Sequence, residues 1–452
     1  MRTGGETLNR KVVKLALPMS LEGLLTASSD FADTLMVSSL GEASVSAVGL
    51  GTQLFFIQSM TIYGFVGGAS TYMAQFYGSG NLSGIRKTLS AAVSTLFLIS
   101  LALFLLVLSV PESFLRIFTD IDQVARLGAD YMICRSPCLL LSSVSLPLVM
   151  ALKSMQQVRL PVFASITAVL TNVTLNYALI FGKWGLPAMG VEGAALATTV
   201  SQAVNVLILF SGMVLCHSPL LQEKRDYISL NPKLILEVFK NAVPTTINEM
   251  MWSGGMSAYN AVYGRISILA SAAAQAADIV SHIFTKTIYS VGDASLILIG
   301  ELLGRGAREE ARRCAARLLK LNVLLGIAAG GLLIAVAYPV AGLFGFEETS
   351  FRYLVILLCI YGIFMPLKVY NITLITGILR AGGDVRFAMV TEVSAIWLVS
   401  VPLVFLGGLV LELPVYVAVL FAQAEDLVKC VILTRRFRSG KWANNKVEGM
   451  NV

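Results

Sequence analysis

The chain alternates between long apolar stretches and short polar connections along its whole length. Each apolar stretch is close to the ~20 residues that a helix needs to cross the hydrocarbon core of a bilayer. Clear examples are residues 89–110, 162–180, 196–216, 321–340 and 387–411. Segments of about ten residues with alternating polarity, which would indicate a membrane barrel, are not seen. Because backbone polar groups in lipid must be satisfied within each segment, the pattern predicts membrane-spanning helices.

About twelve such spans can be counted, and the linkers between them are mostly short. Their predicted bounds are 10–38, 44–77, 87–110, 125–150, 159–182, 190–216, 235–263, 271–301, 314–343, 351–378, 386–408 and 413–436. One central, polar connection is longer, at 217–240. The sequence therefore predicts an all-α polytopic membrane protein with two pseudo-symmetric six-helix lobes. The N-lobe is expected at 1–216, a cytoplasmic linker at 217–240, and a C-lobe with a short basic cytoplasmic tail at 241–452.

Composition agrees with this pattern. Hydrophobic residues make up 56% of the 452 residues and charged residues only 13%, whereas soluble domains carry roughly 25% charged residues. Such a chain has too few charges to cover a water-facing surface, so much of its apolar surface must face lipid. The six cysteines lie in or beside apolar segments, apart from Cys314 in a basic stretch, and are interpreted as packing residues rather than disulfides.

The net charge of +7 follows the loops and not a nucleic-acid groove. Lysine and arginine concentrate in alternate loops, as the positive-inside rule requires of cytoplasmic loops. Residues that fall on the same side as the N-terminus include Arg10, Lys14, Arg86, Lys153, Arg159, Arg305, Arg312, Arg380, Arg386, Arg435 and Lys441. The expected topology therefore has both termini in the cytoplasm and the chain in the cell membrane, with no nucleic-acid partner.

The second half of the chain repeats the first. Pro18 aligns with Pro244 at an offset of 226, and the segment AQFYGSGNLSGIRK then aligns without a gap with GELLGRGAREEARR. At an offset of 227, Lys153 aligns with Arg380. Because each half has an even number of spans, both halves have the same orientation and are related by an axis along the membrane normal.

These residues resemble the multidrug and toxic compound extrusion (MATE) family over nearly the whole chain. The likeness is carried by LALPMSLEGLLTASSDFADTLMVSSLGEASVSAVGL, NVTLNYALIFGKWGLPAMGVEGAALATTVSQ, GILRAGGDVRFA and WLVSVPLVF, and EDLVKCVILTRRFRSGKW resembles a subgroup common among Firmicutes. The resemblance implies two six-helix lobes around a central V-shaped cavity. It also implies export of small organic, often cationic, compounds in exchange for Na⁺ or H⁺, with no cofactor.

Ionisable residues within membrane spans are functional candidates by default, and in the first span these are Glu22, Asp30 and Asp33. The resemblance favours Asp33, because FADT matches a conserved motif of the family. Desolvation disfavours the charged form of a carboxylate, so such a group can alternate between protonated and cation-bound forms. The alternative is an aspartate that only hydrates a wet cavity wall.

Three neutral side chains are predicted to complete this cation site. Asn172 and Asn176 lie one turn apart in the fifth span, and Thr198 adds a hydroxyl from the sixth. Many relatives have aspartate where this chain has Asn176, which weakens a two-carboxylate proton relay and leaves open a sodium site built from one aspartate and amides. The alternative for both asparagines is hydrogen bonding between helices.

The C-half is more heavily charged. Glu249 follows Pro244 and matches a carboxylate position that relatives use for cation binding. A possible charge network consists of Lys286, Lys368, Glu392, Glu425 and Lys429. Lys368 stands in the region where some relatives carry an aspartate, so a two-acid site is not supported here. We hypothesise that Glu249 pairs with Lys286 or Lys368 in a network that opens and closes; a fixed structural lattice of ion pairs is the alternative.

The leading interpretation is a monomeric secondary active antiporter that works by alternating access of its two lobes. A flippase for a lipid-linked saccharide or another anionic amphiphile is the runner-up, because buried basic residues suit phosphates. The sequence contains no P-loop GxxxxGK[ST], and HExxH and GxSxG are also absent, so neither an ATPase nor another enzyme is expected. A membrane scaffold without transport activity would carry polar residues that tolerate substitution.

Overall fold

The computed structural model describes residues 2–3, 6–223, 225–228 and 231–450, without the side chains of residues 2, 3, 6–9, 27, 30, 31, 34, 42, 228 and 286–288. A hairpin of β1 (Arg2–Thr3) and β2 (Glu6–Thr7) precedes the helices. The helices of the first half are α1 (Leu8–Ser38), α2 (Glu42–Ser79), α3 (Leu82–Ser109), α4 (Pro111–Leu115), α5 (Asp122–Arg135), α6 (Pro137–Ser154), α7 (Arg159–Phe181) and α8 (Gly190–Leu215). The short helix α9 (Arg225–Ile228) follows. The helices of the second half are α10 (Pro232–Ile266), α11 (Ile268–Gly304), α12 (Arg308–Gly342), α13 (Glu348–Ile372), α14 (Val385–Ser394), α15 (Val401–Phe405), α16 (Val415–Ala422) and α17 (Ala424–Ser439).

These helices make twelve spans once interrupted ones are joined: α5 with α6, α14 with α15, and α16 with α17. Nine helical segments of the described chain are long and apolar enough on their own to cross a bilayer. The remaining spans are α1, α10 and the pair α16–α17. The predicted all-α architecture of about twelve spans in two lobes is confirmed. Helix α10 begins at Pro232, so its first turns lie within the stretch 217–240.

Proline and π-helical turns interrupt the spans at specific points. Pro137 begins α6 and separates it from α5, which ends at Arg135; proline lacks the N–H that a continuous helix would use there. A π-helical stretch, Thr373–Leu379, continues α13 and ends immediately before Arg380. Two more, Ala395–Ser400 and Leu406–Val410, flank α15. Such turns shift side chains relative to a regular helix and often occur at functional sites.

The two halves have matching backbones where their sequences align. Gly80 and Gly306, which are 226 residues apart, adopt nearly the same left-handed conformation, with φ of 77° and 78°. A Cβ added to Gly78 would lie 2.0 Å from the Glu301 carbonyl oxygen, and one added to Gly304 would lie 1.9 Å from that of Gln75. Gln75 and Glu301 are themselves 226 residues apart, so the contact is the same on both halves. This reciprocity is the signature of a two-fold axis.

The lobes meet on the side of the molecule that carries both termini, which we call the basic side. Helix α2 of the N-lobe packs on α10 and α11 of the C-lobe, and α1 packs on α11. Along α2, Gly64 and Gly68 contact the α10 backbone so closely that an added Cβ would lie 2.3 Å from Thr246 Cα and 2.5 Å from Ala242 Cα. Glycines therefore let the lobes close on this side.

The C-terminal tail crosses this junction. Trp442 is almost fully buried, and its indole Nε1 donates to the Phe437 carbonyl over 3.1 Å. Farther along, the Lys446 N–H donates to Gln75 Oε1 over 2.6 Å, and Gln75 Nε2 donates to the Asn444 carbonyl over 3.1 Å. Because Gln75 belongs to the N-lobe and α17 to the C-lobe, the tail links the two lobes.

Candidate functional site

A polar cavity of about 320 Å³ lies inside the N-lobe. It is bounded by α1, α2, α7, α8 and the junction of α5 with α6. Asp33, Arg135 and Thr198 line this cavity and also an adjoining one of about 450 Å³. A separate cavity of about 700 Å³ among α3, α6 and α8 is lined almost entirely by apolar side chains. The chemistry that the sequence singled out therefore lies in the polar cavity.

Asp33 is held at the centre of the N-lobe by amides. Asn176 Nδ2 donates to Asp33 Oδ1 over 2.5 Å and lies 3.2 Å from Asn172 Oδ1. Asn176 is fully buried, and its own Oδ1 has no hydrogen-bond partner in the described part of the chain. An amide oxygen left unsatisfied at such depth is costly, and it is a ligand that hard cations prefer.

Asn172 can face Asp33 in either of two orientations. With its carbonyl oxygen toward the carboxylate, Oδ1 lies 2.8 Å from Asp33 Oδ1, and Nδ2 lies 3.4 Å from Thr198 Oγ1. With the amide rotated, its nitrogen donates to Asp33 Oδ1 over 2.8 Å and to Oδ2 over 3.2 Å. Two oxygens at 2.8 Å repel unless a proton or cation lies between them, so the first orientation suits an occupied carboxylate and the second suits an empty one.

The structure thus brings together four residues that the sequence singled out: Asp33, Asn172, Asn176 and Thr198. They come from three helices, α1, α7 and α8. The one-turn spacing of the asparagines places both on the face of α7 that contacts α1, a contact seen also in the Ser29 hydroxyl, which lies 3.2 Å from Asn172 Oδ1. The side chain of Asp30 lies outside the described residues.

Glu249 has a different partner from the lysines that we expected. Its Oε1 accepts from Arg380 Nη2 over 3.0 Å, because the π-helical turn before Arg380 brings that side chain toward α10. In the N-lobe, Glu22 pairs with Lys153, also over 3.0 Å. Glu22 and Glu249, like Lys153 and Arg380, are 227 residues apart. The same ion pair is therefore built once in each lobe.

The other C-lobe candidates divide into two groups. Glu392 accepts from Asn248 Nδ2 over 2.7 Å. Lys429 lies 3.1 Å from Glu425 and 3.3 Å from Asp426, and all three are nearly buried in α17. Tyr259 donates to Glu425 Oε2 over 3.1 Å. Neutral donors and one ammonium thus share three carboxylates.

Two predicted members of the network do not join these contacts. Lys368 is half-buried and forms no ion pair with the described carboxylates. The side chain of Lys286 lies outside the described residues. Sequence reasoning also missed the inward position of Arg135 and the pairing of Glu22 with Lys153. The alignment of Lys153 with Arg380 was a signal that could have found this pairing, because it predicts equivalent partners in the two lobes.

Two helical lobes with polar cavities among their spans define a polytopic membrane transporter. The sequence model of the MatE family matches residues 18–178 and 244–406, once in each half. A probable multidrug resistance protein NorM from Thermotoga maritima is 24% identical, with 97% of this chain and 94% of that protein covered. The uncharacterized transporter YisQ from Bacillus subtilis is 23% identical, with 95% and 94% covered.

Solved structures agree with the family model on the fold. The outward-facing conformation of a multidrug resistance MATE family transporter of the MOP superfamily superposes with a TM-score of 0.88, at 17% identity and with 96% of this chain and 97% of that chain covered. The chain belongs to the MATE family of multidrug efflux transporters. It is a membrane transporter that acts on small molecules, and not an enzyme.

Proposed function

We propose that this chain is a secondary active antiporter that exports small organic compounds in exchange for Na⁺ or H⁺. The observation that carries the proposal is the Asp33 carboxylate, set in a polar cavity within the N-lobe and contacted by the amides of Asn172 and Asn176. One carboxylate with surrounding neutral oxygens can bind a proton or a sodium ion. Moving one charge down ~100 mV yields about 2.3 kcal/mol of work.

Asn172 reports the state of the carboxylate by its orientation. When a proton or Na⁺ occupies Asp33, the Asn172 carbonyl turns toward it; when the carboxylate is empty, the amide nitrogen does so. The Asn176 and Thr198 oxygens complete the set around a bound cation. Because a ligand shifts a conformational equilibrium only by its differential affinity, the cation acts by favouring one packing of α1 against α7.

We propose further that the basic side is cytoplasmic, with the N-lobe at 1–216, a linker at 217–240 and the C-lobe at 241–452. The concentration of lysine and arginine there supports this assignment. The lobe contacts on the basic side then correspond to an outward-open state of a monomer in the cell membrane. Alternating access requires the glycine contacts between α2 and the C-lobe to separate.

Glu249 is the proposed counterpart in the C-lobe. Its ion pair with Arg380 replaces the lysine pairing that we hypothesised from sequence. Since Arg380 Nη1 would lie 2.5 Å from a Cβ added to Gly67 in α2, the pair lies at the junction of the lobes. The buried group of Glu392, Glu425 and Lys429 is proposed as a structural support behind it.

Export from proteoliposomes tests the proposal. A fluorescent organic cation is loaded, and Na⁺ and H⁺ gradients are imposed separately on vesicles with the native chain, Asp33→Asn, or the control Asp122→Asn. Asp122 is exposed and lies in the same lobe. We expect one gradient to drive export by the native chain and the control, and neither to drive export by Asp33→Asn. Export by the native chain that neither gradient drives would overturn the proposal.

A further inference from the structure

Arg135 places a fixed positive charge inside the N-lobe. It ends α5 and lines both cavities that share Asp33. Its Nη1 donates to the Tyr131 hydroxyl and, over 3.4 Å, to Thr52 Oγ1. Its Cζ lies 4.7 Å from the centre of the Phe55 ring, a favourable position for a cation over an aromatic face. These contacts hold the guanidinium in one place.

Arg135 still has donors to offer. Its Nε is buried without an acceptor among the described residues, and the hydrogen bonds of its guanidinium to those residues come from Nη1 alone. No described carboxylate lies within the 4.0 Å of an ion pair with it. A charge within a membrane bundle is costly unless it pairs or faces water. The Nε and Nη2 edge of arginine is a planar fork that matches a carboxylate.

The rest of the cavity defines the kind of molecule that would bring this carboxylate. Gln58 and Gln202 contribute amides, Phe55 an aromatic face, and Asp33 and Glu22 negative charge. At about 320 Å³, with 450 Å³ adjoining, the space is in the range of sites for drug-sized ligands. Because acids and an arginine line the same cavity, an amphoteric compound fits better than a dianion.

We propose that the N-lobe cavity binds organic carboxylates, above all amphoteric aromatic compounds, through the guanidinium of Arg135. Phe55 and Tyr131 orient that guanidinium, and the acids face the cationic part of the ligand. The inference deepens the proposed function by naming a substrate class, but binding itself needs no ion gradient. Arg135 thus acts as a specificity residue, and Asp33 stays the coupling group.

A matched pair of dyes tests this assignment. Rhodamine B has a free carboxylate, and its ethyl ester has the same aromatic core and cationic group without it. Binding of each dye to the purified full-length protein in nanodiscs is measured by fluorescence polarisation. The variants are Arg135→Gln, Arg135→Lys and the control Arg116→Gln, which removes an exposed arginine. We expect the native protein to bind the acid at least tenfold more tightly than the ester.

In Arg135→Gln this preference should disappear, with the affinity for the ester changed less than twofold. Arg135→Lys should restore part of it, and Arg116→Gln should leave it intact. Equal affinity of the native protein for acid and ester, or no binding of the acid, would overturn the inference, whether or not any variant folds. Binding with the expected preference but without gradient-driven export would instead count against the proposed antiport alone.

Discussion

The glycine contacts between the lobes can be disturbed by a single methyl group. In Gly78→Ala the new Cβ would lie 2.0 Å from the Glu301 carbonyl oxygen, and in Gly304→Ala 1.9 Å from the Gln75 carbonyl oxygen. Close carbon–oxygen contacts in proteins lie at about 3.3–3.6 Å, so the crossing backbones must move apart by more than about 1 Å. Overpacking of this kind costs about 1–3 kcal/mol.

This cost arises only while the basic side is closed. Since 1.4 kcal/mol is a tenfold change in an equilibrium constant, each substitution should shift the balance toward opening on the basic side by roughly 5- to 100-fold. The pseudo-two-fold axis makes a further prediction, because Gly78 and Gly304 occupy equivalent positions. The two substitutions should have similar effects, although they lie in different halves of the chain.

Reactivity of a buried thiol measures this shift. Ser70 is fully buried in α2, so Ser70→Cys in a background without other cysteines reports opening through its rate of labelling by a soluble maleimide. The matched control is Gly49→Ala on the same helix, where an added Cβ meets nothing within 4 Å. We expect faster labelling with Gly78→Ala and Gly304→Ala only. Labelling as slow as in the control would refute the closed junction described above.

Three further predictions concern separate contacts. Glu249→Gln leaves the nearly buried Arg380 without its carboxylate and should cost about 3 kcal/mol; a lower melting temperature that Glu249→Leu with Arg380→Leu restores would show it, and an unchanged one would contradict it. Trp442→Ala should cost about 3–5 kcal/mol in the same assay, and no loss would mean that the tail is not docked. Burial acts to raise the pKa of Asp226, but its hydrogen bond and ion pair with Arg86 outweigh this effect and lower that pKa. The stabilisation by Asp226 is therefore present above its unfolded pKa of about 3.9 and is lost as the pH falls through the lower native pKa, so the melting temperatures of native protein and Asp226→Asn should converge at low pH; a constant difference would contradict this.

The spans and the repeat could be predicted because both depend on local rules. A helix in lipid needs a fixed length of apolar chain, so the boundaries follow from the polar connections. The alignment of Gly78 with Gly304 was readable because close backbone approach admits only glycine at both positions. The one-turn spacing of Asn172 and Asn176 likewise predicted a shared helix face, and the structure turns that face toward Asp33.

Contacts that depend on the relative rotation of distant helices could not be predicted in this way. The partner of Glu249 is Arg380 and not Lys368, because a π-helical turn changes which side of that span faces α10. Arg135 gave no local sign that Pro137 would leave it at a helix end inside the lobe. Trp442 lies in a stretch with a polar, basic composition, yet it is buried by packing that only the folded lobes provide.

The central claim is that occupation of Asp33 by a cation changes which side of the molecule is open. Spin labels at Ser39→Cys and Arg265→Cys, one exposed position in each lobe, report the separation of the lobes opposite the basic side by electron–electron resonance. In the native protein this distance distribution should shift when Na⁺ is added or the pH is lowered, and in Asp33→Asn it should respond to neither. A shift that persists undiminished in Asp33→Asn, or its absence from the native protein under both conditions, would contradict the account.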